Sequence, residues 1–168
     1  MRSLTSALAL AALLSAVTCS GVSSARTESR SPGSADLVGT WRLVSYENYR
    51  DGKRETPYGE SPRGYFVYDP TGHVSIHIMK MPRLAPDGFG RGASPSAGQK
   101  AAAYDAYVGY FGTYTVDTAR GVVVHHVEGS LDPSYTDTDQ PRPFVLAGDT
   151  LIIGDQTTWK RVLVRVRS

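Results

Sequence analysis

Residues 36–46, DLVGTWRLVSY, decide the fold that we expect for this chain. From Trp41 onward the residue types suit a pleated strand, because β-branched and aromatic side chains pack well on such a surface. Side chains alternate between the two faces of a strand. Odd-numbered residues from Trp41 to Ser45 are therefore expected on one face, and even-numbered residues from Arg42 to Tyr46 on the other.

A second β-rich stretch, residues 157–166, lies near the other end of the sequence and alternates valine with arginine. A first and a last strand of this kind suit a closed antiparallel sheet, because closure removes the unpaired edges that an open sheet exposes. Turn signals between them, such as residues 51–52 (DG) and 69–72 (DPTG), separate short alternating segments. We therefore predict an all-β domain, a single closed antiparallel barrel of eight or nine strands.

The same segments carry a resemblance to a known family. Residues 39–41 (GTW) resemble the Gly-x-Trp signature of lipocalins, and the ordered series is similar to the bacterial and fungal lipocalin-like domain family. The matching segments are LVGTWRLVS (37–45), PRG (62–64), YD (68–69), GHVS (72–75), YFGTY (110–114), HHVE (125–128) and GDTL (148–151). The resemblance covers residues 36–166 and implies a calycin-type barrel in which an arginine of the last strand covers Trp41. We assign that role to Arg161.

Residues 80–98 interrupt the strand pattern with prolines and glycines. A loop of this length is usually functional or disordered, so the segment is either a surface excursion or a lid that offers Leu84 and Phe89 to a ligand. Residues 97–108 then predict one short helix, because they include three consecutive alanines. Such a helix is placed to close one mouth of the barrel.

The N-terminus has the pattern of an export signal. Residues 1–25 combine an early arginine, an apolar run and a small-residue cleavage site. The alternative uses Cys19, the only cysteine, as the lipid-modified residue of a lipoprotein, although the three residues before it fit that pattern poorly. Residues 26–35 have the composition of a flexible linker, and residues 36–168 form the barrel domain. We expect a periplasmic or extracellular protein, attached to a membrane only if Cys19 carries a lipid.

Charge and motifs exclude several function classes. The chain has 18 Lys and Arg against 16 Asp and Glu, without a basic stripe, which argues against nucleic acid. We find no phosphate-binding loop, dinucleotide fingerprint or nucleophile elbow, so we predict no cofactor. His125 and His126 are adjacent in a predicted strand and point to opposite faces, so we also predict no metal site.

The strand predicted at residues 122–131 contains the best candidates for chemistry. His126 and Glu128 share one face about 7 Å apart, and His125 lies on the other. A carboxylate beside an imidazole raises its pKa, as a general base near neutral pH requires. Alternation alone leaves either histidine inside. Apolar neighbours favour His125, the family resemblance favours His126, and we adopt His126.

The remaining ligand-binding candidates are His77, Tyr114 and Arg142, since an arginine inside a barrel binds a carboxylate or phosphate through two N–H groups. Barrels of this size hold one small ligand. We therefore expect the protein to bind a small, mostly apolar molecule inside the barrel. The alternative function is an enzyme of the isomerase, cyclase or dehydratase type that uses His126 and Glu128 as an acid–base pair. A third interpretation is a filled core without a ligand.

Overall fold

The structure is a computed structural model that describes residues 33–85 and 87–167. The predicted signal segment, Cys19 and most of the predicted linker lie outside the described residues. The helices are α1 (Ser34–Leu37) and α2 (Ala97–Asp105), with a 3-10 turn at Pro133–Tyr135. The strands are β1 (Gly39–Arg50), β2 (Lys53–Glu55), β3 (Arg63–Tyr68), β4 (His73–Met79), β5 (Tyr107–Asp117), β6 (Val122–Ser130), β7 (Thr138–Ala147), β8 (Thr150–Ile153) and β9 (Trp159–Arg165). No helix in the described ranges is long and apolar enough to cross a membrane.

All nine strands belong to one antiparallel sheet with the order β2-β1-β3-β4-β5-β6-β7-β8-β9. Pairing of β1 with β9 closes the sheet into a barrel, and β2 is an extra strand that pairs only with the end of β1. The predicted closed barrel is confirmed. The predicted short helix is also present, although it ends at Asp105 and residues 107 and 108 join β5.

One end of the barrel is sealed around Trp41, which has no exposed surface. The indole Nε1 donates to the carbonyl oxygen of Leu37 at 2.8 Å, and Leu37, the last residue of α1, is itself buried. Arg165 covers the same ring, with its guanidinium carbon 4.1 Å from the ring centre. Its Nη1 and Nη2 atoms donate to the carbonyl oxygens of Val38 at 2.7 Å and Asp36 at 2.6 Å. These contacts tie the start of the domain to its last strand.

The assignment of Arg161 to Trp41 was therefore wrong. Arg161 and Arg165 lie on the same face of β9, two alternations apart. Because β1 and β9 run antiparallel, the start of β1 meets the end of β9: Trp41 is opposite Arg165, and Tyr46 is opposite Arg161. Arg161 is consequently placed toward the other end of the barrel.

A β-bulge in β1 changes which residues face inward. The register of β1 against β9 shifts between Leu43 and Ser45, and an extra residue in one strand reverses the alternation beyond it. The predicted alternation was therefore wrong beyond Leu43, because Tyr46 now shares the inner face with Arg161. Glu47 lies on the outer side, opposite Lys160.

A second register shift lies between β5 and β6: the consecutive residues Phe111 and Gly112 pair with Gly129 and Val127, so the extra residue is Glu128 of β6. A Cβ atom on Gly112 would lie 2.0 Å from the carbonyl oxygen of His126. Only glycine allows this approach of the two backbones.

Candidate functional site

The half of the barrel away from Trp41 contains a cavity of about 700 Å³. Its floor is formed by the apolar side chains Phe66, Ile76, Ile78 and Ile153. Its walls and rim are unusually aromatic, with Tyr46, Tyr49, Tyr58, Tyr104, Tyr107, Tyr110, Tyr135 and Trp159. The volume falls within the range of small-molecule sites, roughly 300–1,000 Å³.

Helix α2 lies at the rim of this cavity. The Ser96 hydroxyl accepts a hydrogen bond from the backbone N–H of Gln99, and the Gln99 side chain accepts one from the backbone N–H of Ser96. This reciprocal cap starts the helix after the irregular loop. Tyr104, at the other end of α2, contributes to the rim, in agreement with a helix at a barrel mouth. Leu84 and Phe89 are exposed and do not line the cavity, so the structure does not place either in contact with a ligand there.

Arg161 projects into the cavity from the start of β9. Its guanidinium carbon lies 3.2 Å from the centre of the Tyr46 ring and 5.1 Å from that of Trp159. Nη1 donates to the carbonyl oxygens of Glu47 at 2.7 Å and Lys160 at 3.0 Å. Burial lowers the pKa of Arg161, but an arginine starts so far above neutrality that it stays charged.

Arg142 reaches the same cavity from β7. Its Nη2 donates to the Tyr135 hydroxyl at 3.2 Å and to the Gln140 side-chain oxygen at 3.0 Å. Its guanidinium carbon lies 5.4 Å from the centre of the Trp159 ring. Trp159 is therefore a shared aromatic neighbour of Arg142 and Arg161. Of the five sequence candidates for ligand binding, Arg142 is the one that lines this cavity.

His125, and not His126, faces the barrel interior. It is completely buried, with Nε2 2.9 Å from the Tyr68 hydroxyl and Nδ1 2.9 Å from the Tyr110 hydroxyl. Burial lowers the pKa of His125 to about 3, and the positive charge of Arg142 acts in the same direction. The imidazole is therefore neutral at physiological pH. Tyr110 connects it to the cavity, since Tyr110 is also a lining residue.

The adopted orientation of His126 was wrong. It lies on the outer face of β6, where Nδ1 is 2.6 Å from the Asp139 carboxylate and Nε2 is 3.0 Å from the Thr115 hydroxyl. Glu128 is exposed on the same outer face. A histidine–carboxylate pair does exist, but its carboxylate is Asp139 and it lies outside the barrel.

His77 and Tyr114 also lie outside the cavity lining. His77 is exposed on β4, within 3.0 Å of the Ser75 hydroxyl and 3.1 Å of the Tyr107 hydroxyl. Tyr114 packs edge-on against Tyr68 in the closed half of the barrel, and its hydroxyl donates to the carbonyl oxygen of Asp69 at 3.1 Å. The structure therefore does not bring the five candidates together in one site.

Sequence reasoning missed Tyr46, Tyr110, Trp159 and Arg161 as residues of one cavity. The position of Arg161 could have been predicted. In an antiparallel pair the start of the last strand lies beside the end of β1, away from Trp41. No comparable signal marked Tyr46, whose inward position depends on the bulge. In the described part of the chain, no group of three or more His, Cys, Asp or Glu side chains is arranged to hold a metal ion.

The barrel, its sealed Trp41 end and its open cavity agree with the comparison against known families. The lipocalin-like domain family matches residues 38–163, three quarters of the chain. No curated protein matches the chain significantly. With a closed antiparallel barrel and a family match over nearly all of it, this chain belongs to the lipocalin-like domain family.

Proposed function

We propose that the protein binds one small, mostly apolar organic molecule inside the barrel. The observation that carries this proposal is the cavity of about 700 Å³ with aromatic walls and an apolar floor. Burying apolar ligand surface there is favourable by roughly 25 cal/mol per Å². Flat ring systems suit the site best, because tyrosine and tryptophan side chains stack on them or meet them edge-on.

The cavity argues against the interpretation of a filled core. Apolar side chains are buried in the closed half, with Trp41, Leu43 and Leu163 at most 1% exposed. The same packing stops at Phe66 and Ile76, which form the cavity floor. Close packing is the normal condition of a protein interior, so an open volume of this size supports a role for the space itself.

The enzyme alternative required His126 and Glu128 as an acid–base pair inside the barrel. His126 and Glu128 are on the outer face, and no histidine is among the described residues that line the cavity. An isomerase, cyclase or dehydratase at this site would need another acid–base group. We therefore propose binding and not turnover.

Export remains our proposal for localisation, supported by the sequence pattern of residues 1–25 alone. The intact mass of the protein purified from its source organism tests it. Cleavage near residue 25 is expected for soluble export. A mass that shows a lipid on Cys19 identifies the anchored alternative, and an uncleaved N-terminus contradicts both.

Ligand binding is tested with N-phenyl-1-naphthylamine, a neutral aromatic dye that fluoresces when it leaves water. The variant Val108→Trp adds bulk to the cavity wall and should weaken dye binding at least tenfold. Val145→Trp adds the same side chain on the outer surface, where Val145 is 47% exposed, and should bind as the wild type does. Equal binding by both variants would show that the dye is not in the cavity.

The natural occupant is sought by native mass spectrometry of protein purified from its source organism. A small-molecule adduct that is lost in Val108→Trp and kept in Val145→Trp supports the proposal. Absence of both an adduct and dye binding by the wild type would overturn it.

A further inference from the structure

Three arginines line the cavity: Arg50 is exposed, whereas Arg142 and Arg161 are partly buried beside Trp159. Neither Arg142 nor Arg161 forms an ion pair, whereas Arg54, Arg120, Arg165 and Arg167 each have a carboxylate within 4 Å. Removing a charge from water is costly unless the charge is paired. Two adjacent arginines that face a cavity therefore favour an anion inside it.

Each guanidinium also has donors left over. A guanidinium carries five N–H groups. Arg161 donates through Nη1 and Arg142 through Nη2, in both cases to uncharged oxygens. The Nε and the other terminal nitrogen of each side chain make no well-oriented hydrogen bond among the described residues, although Arg142 interacts with the Tyr110 hydroxyl and Arg161 with that of Tyr46. In Arg161 the free Nε and Nη2 form the planar edge that binds a carboxylate through two parallel hydrogen bonds, whereas the free Nε and Nη1 of Arg142 point to different sides and donate singly.

The hydrogen bonds of His125 make a third donor available. A neutral imidazole has one N–H donor and one acceptor nitrogen. The Tyr68 hydroxyl is fully buried and has no partner other than Nε2 among the described residues, so it must donate there or leave its proton unsatisfied, at a cost of about 1–3 kcal/mol. Nδ1–H then donates to the Tyr110 oxygen. The Tyr110 hydroxyl proton remains available, and Tyr110 borders the cavity.

We propose that the barrel cavity contains a subsite for an anionic group, formed by Arg142 and Arg161 around Trp159 with the Tyr110 hydroxyl as a further donor. Its ligand is a small aromatic carboxylic acid, whose ring lies among the tyrosines and whose carboxylate binds the arginines. This inference rests on the proposed function, because it names the class of molecule that the cavity takes.

The acidic residues of the cavity do not pair with Arg142 or Arg161. Glu55, Asp105 and Asp132 line the cavity but form no ion pair with Arg142 or Arg161 within 4 Å. The Asp132 carboxylate instead accepts hydrogen bonds from the backbone N–H of Ser134 at 2.9 Å and from its hydroxyl at 2.7 Å.

Isothermal titration calorimetry with 2-naphthoate and 2-naphthamide at pH 7 tests the subsite. The two probes share one ring system and differ in the charge of the head group. The wild type should bind 2-naphthoate at least tenfold more tightly, which corresponds to about 1.4 kcal/mol. Arg142→Met and Arg161→Met should each reduce this preference to threefold or less, with the affinity for 2-naphthamide within threefold of the wild-type value.

Methionine keeps an apolar stem of similar length against Trp159, and near-ultraviolet circular dichroism checks that each variant folds. The control Arg42→Met removes an arginine from the exposed face of β1 and should keep the wild-type preference. The comparison of the two probes on the wild type needs no variant, so it tests the anionic subsite even if both variants unfold.

The outcomes separate the two proposals. If both probes bind the wild type with equal affinity, the anionic subsite is refuted and the apolar cavity stands. The same conclusion follows if the preference survives both arginine substitutions. If neither probe nor the neutral dye binds, the proposed function itself fails.

Discussion

His125 should make the stability of the folded barrel depend on pH, and one substitution should remove that dependence. Burial, followed by the positive charge of Arg142, lowers the pKa of His125 to about 3. In the unfolded chain an exposed histidine titrates near 6.5. Between these two values the unfolded state binds a proton that the folded state does not. The free energy of unfolding from this residue is therefore largest above pH 6.5 and falls as the pH drops toward 3.

The expected effect is large enough to measure. Within that window each pH unit changes the free energy of unfolding by about 1.4 kcal/mol. Lowering the pH from 8 to 4.5 should thus remove about 3 kcal/mol through His125 alone. A small domain has a total stability of about 5–15 kcal/mol, so this loss is a substantial part of it.

The variant His125→Gln keeps a donor and an acceptor for Tyr68 and Tyr110 but does not titrate. We expect it to be about 1–2 kcal/mol less stable than the wild type at pH 8, because the amide matches the two hydroxyls less well. By pH 4.5 the order should reverse. Urea unfolding followed by tryptophan fluorescence, in half-unit steps of pH, measures the difference between the two proteins.

The control His126→Gln removes the neighbouring histidine from the outer face of β6 and should keep the part of the pH dependence that comes from His125. A constant difference in stability between wild type and His125→Gln from pH 8 to 4.5 would refute the reasoning. It would mean that the buried imidazole accepts a proton in the folded state as readily as in the unfolded chain.

Three further substitutions test the closed end, the carboxylate of Glu47 with its partners Arg54 and Lys160 on the outer face, and the close approach of β5 to β6 at Gly112. Arg165→Met should cost about 2–4 kcal/mol in urea unfolding, since it removes a partly buried cation–π contact and two hydrogen bonds to carbonyl oxygens. The exposed Arg167→Met should cost under about 0.5 kcal/mol, and equal costs would contradict the sealing role. Burial raises the pKa of Glu47, but hydrogen bonds, first that of Tyr49, outweigh it and lower the pKa to about 2. The stability from this carboxylate is present above pH 4.5 and lost as the pH falls to 2. Glu47→Gln should therefore cost about 2 kcal/mol at pH 7 and reduce the fall in the free energy of unfolding between pH 4.5 and 2. A fall as steep as that of the wild type would contradict this role of Glu47. Gly112→Ala should cost about 1–3 kcal/mol or more and lower the melting temperature, because its Cβ would lie 2.0 Å from a backbone oxygen; wild-type stability would show that β5 and β6 can separate there.

Local alternation predicted several features of the barrel correctly. In β4 the even-numbered residues Val74, Ile76 and Ile78 are buried, and the odd-numbered His73 and His77 are exposed. Turn signals at residues 51–52 and 69–72 separate strands as expected. The number of strands, their antiparallel order and the helix at the mouth follow from such short-range patterns, because each is set by residues close together in the chain.

Alternation could not decide which of His125 and His126 is inside. A period of two defines the two faces of a strand but does not say which one meets the core. The apolar neighbours of His125 indicated the correct face, and giving more weight to the family resemblance led to the wrong one. The buried His125 is stabilised by hydrogen bonds with the hydroxyls of two tyrosines. One of them, Tyr68, lies 57 residues away along the chain, so local alternation could not predict the contact.

The sequence by itself determined that this chain forms a closed antiparallel barrel with Trp41 near one end. Tertiary structure alone decided that Arg165 covers Trp41, that Tyr46 turns inward after the bulge, and that Arg161 shares a cavity with Arg142. The physical reason is that a strand's alternation is local, whereas its register is set where distant strands pair. One inserted residue in β1 is enough to change which side chains meet inside the barrel.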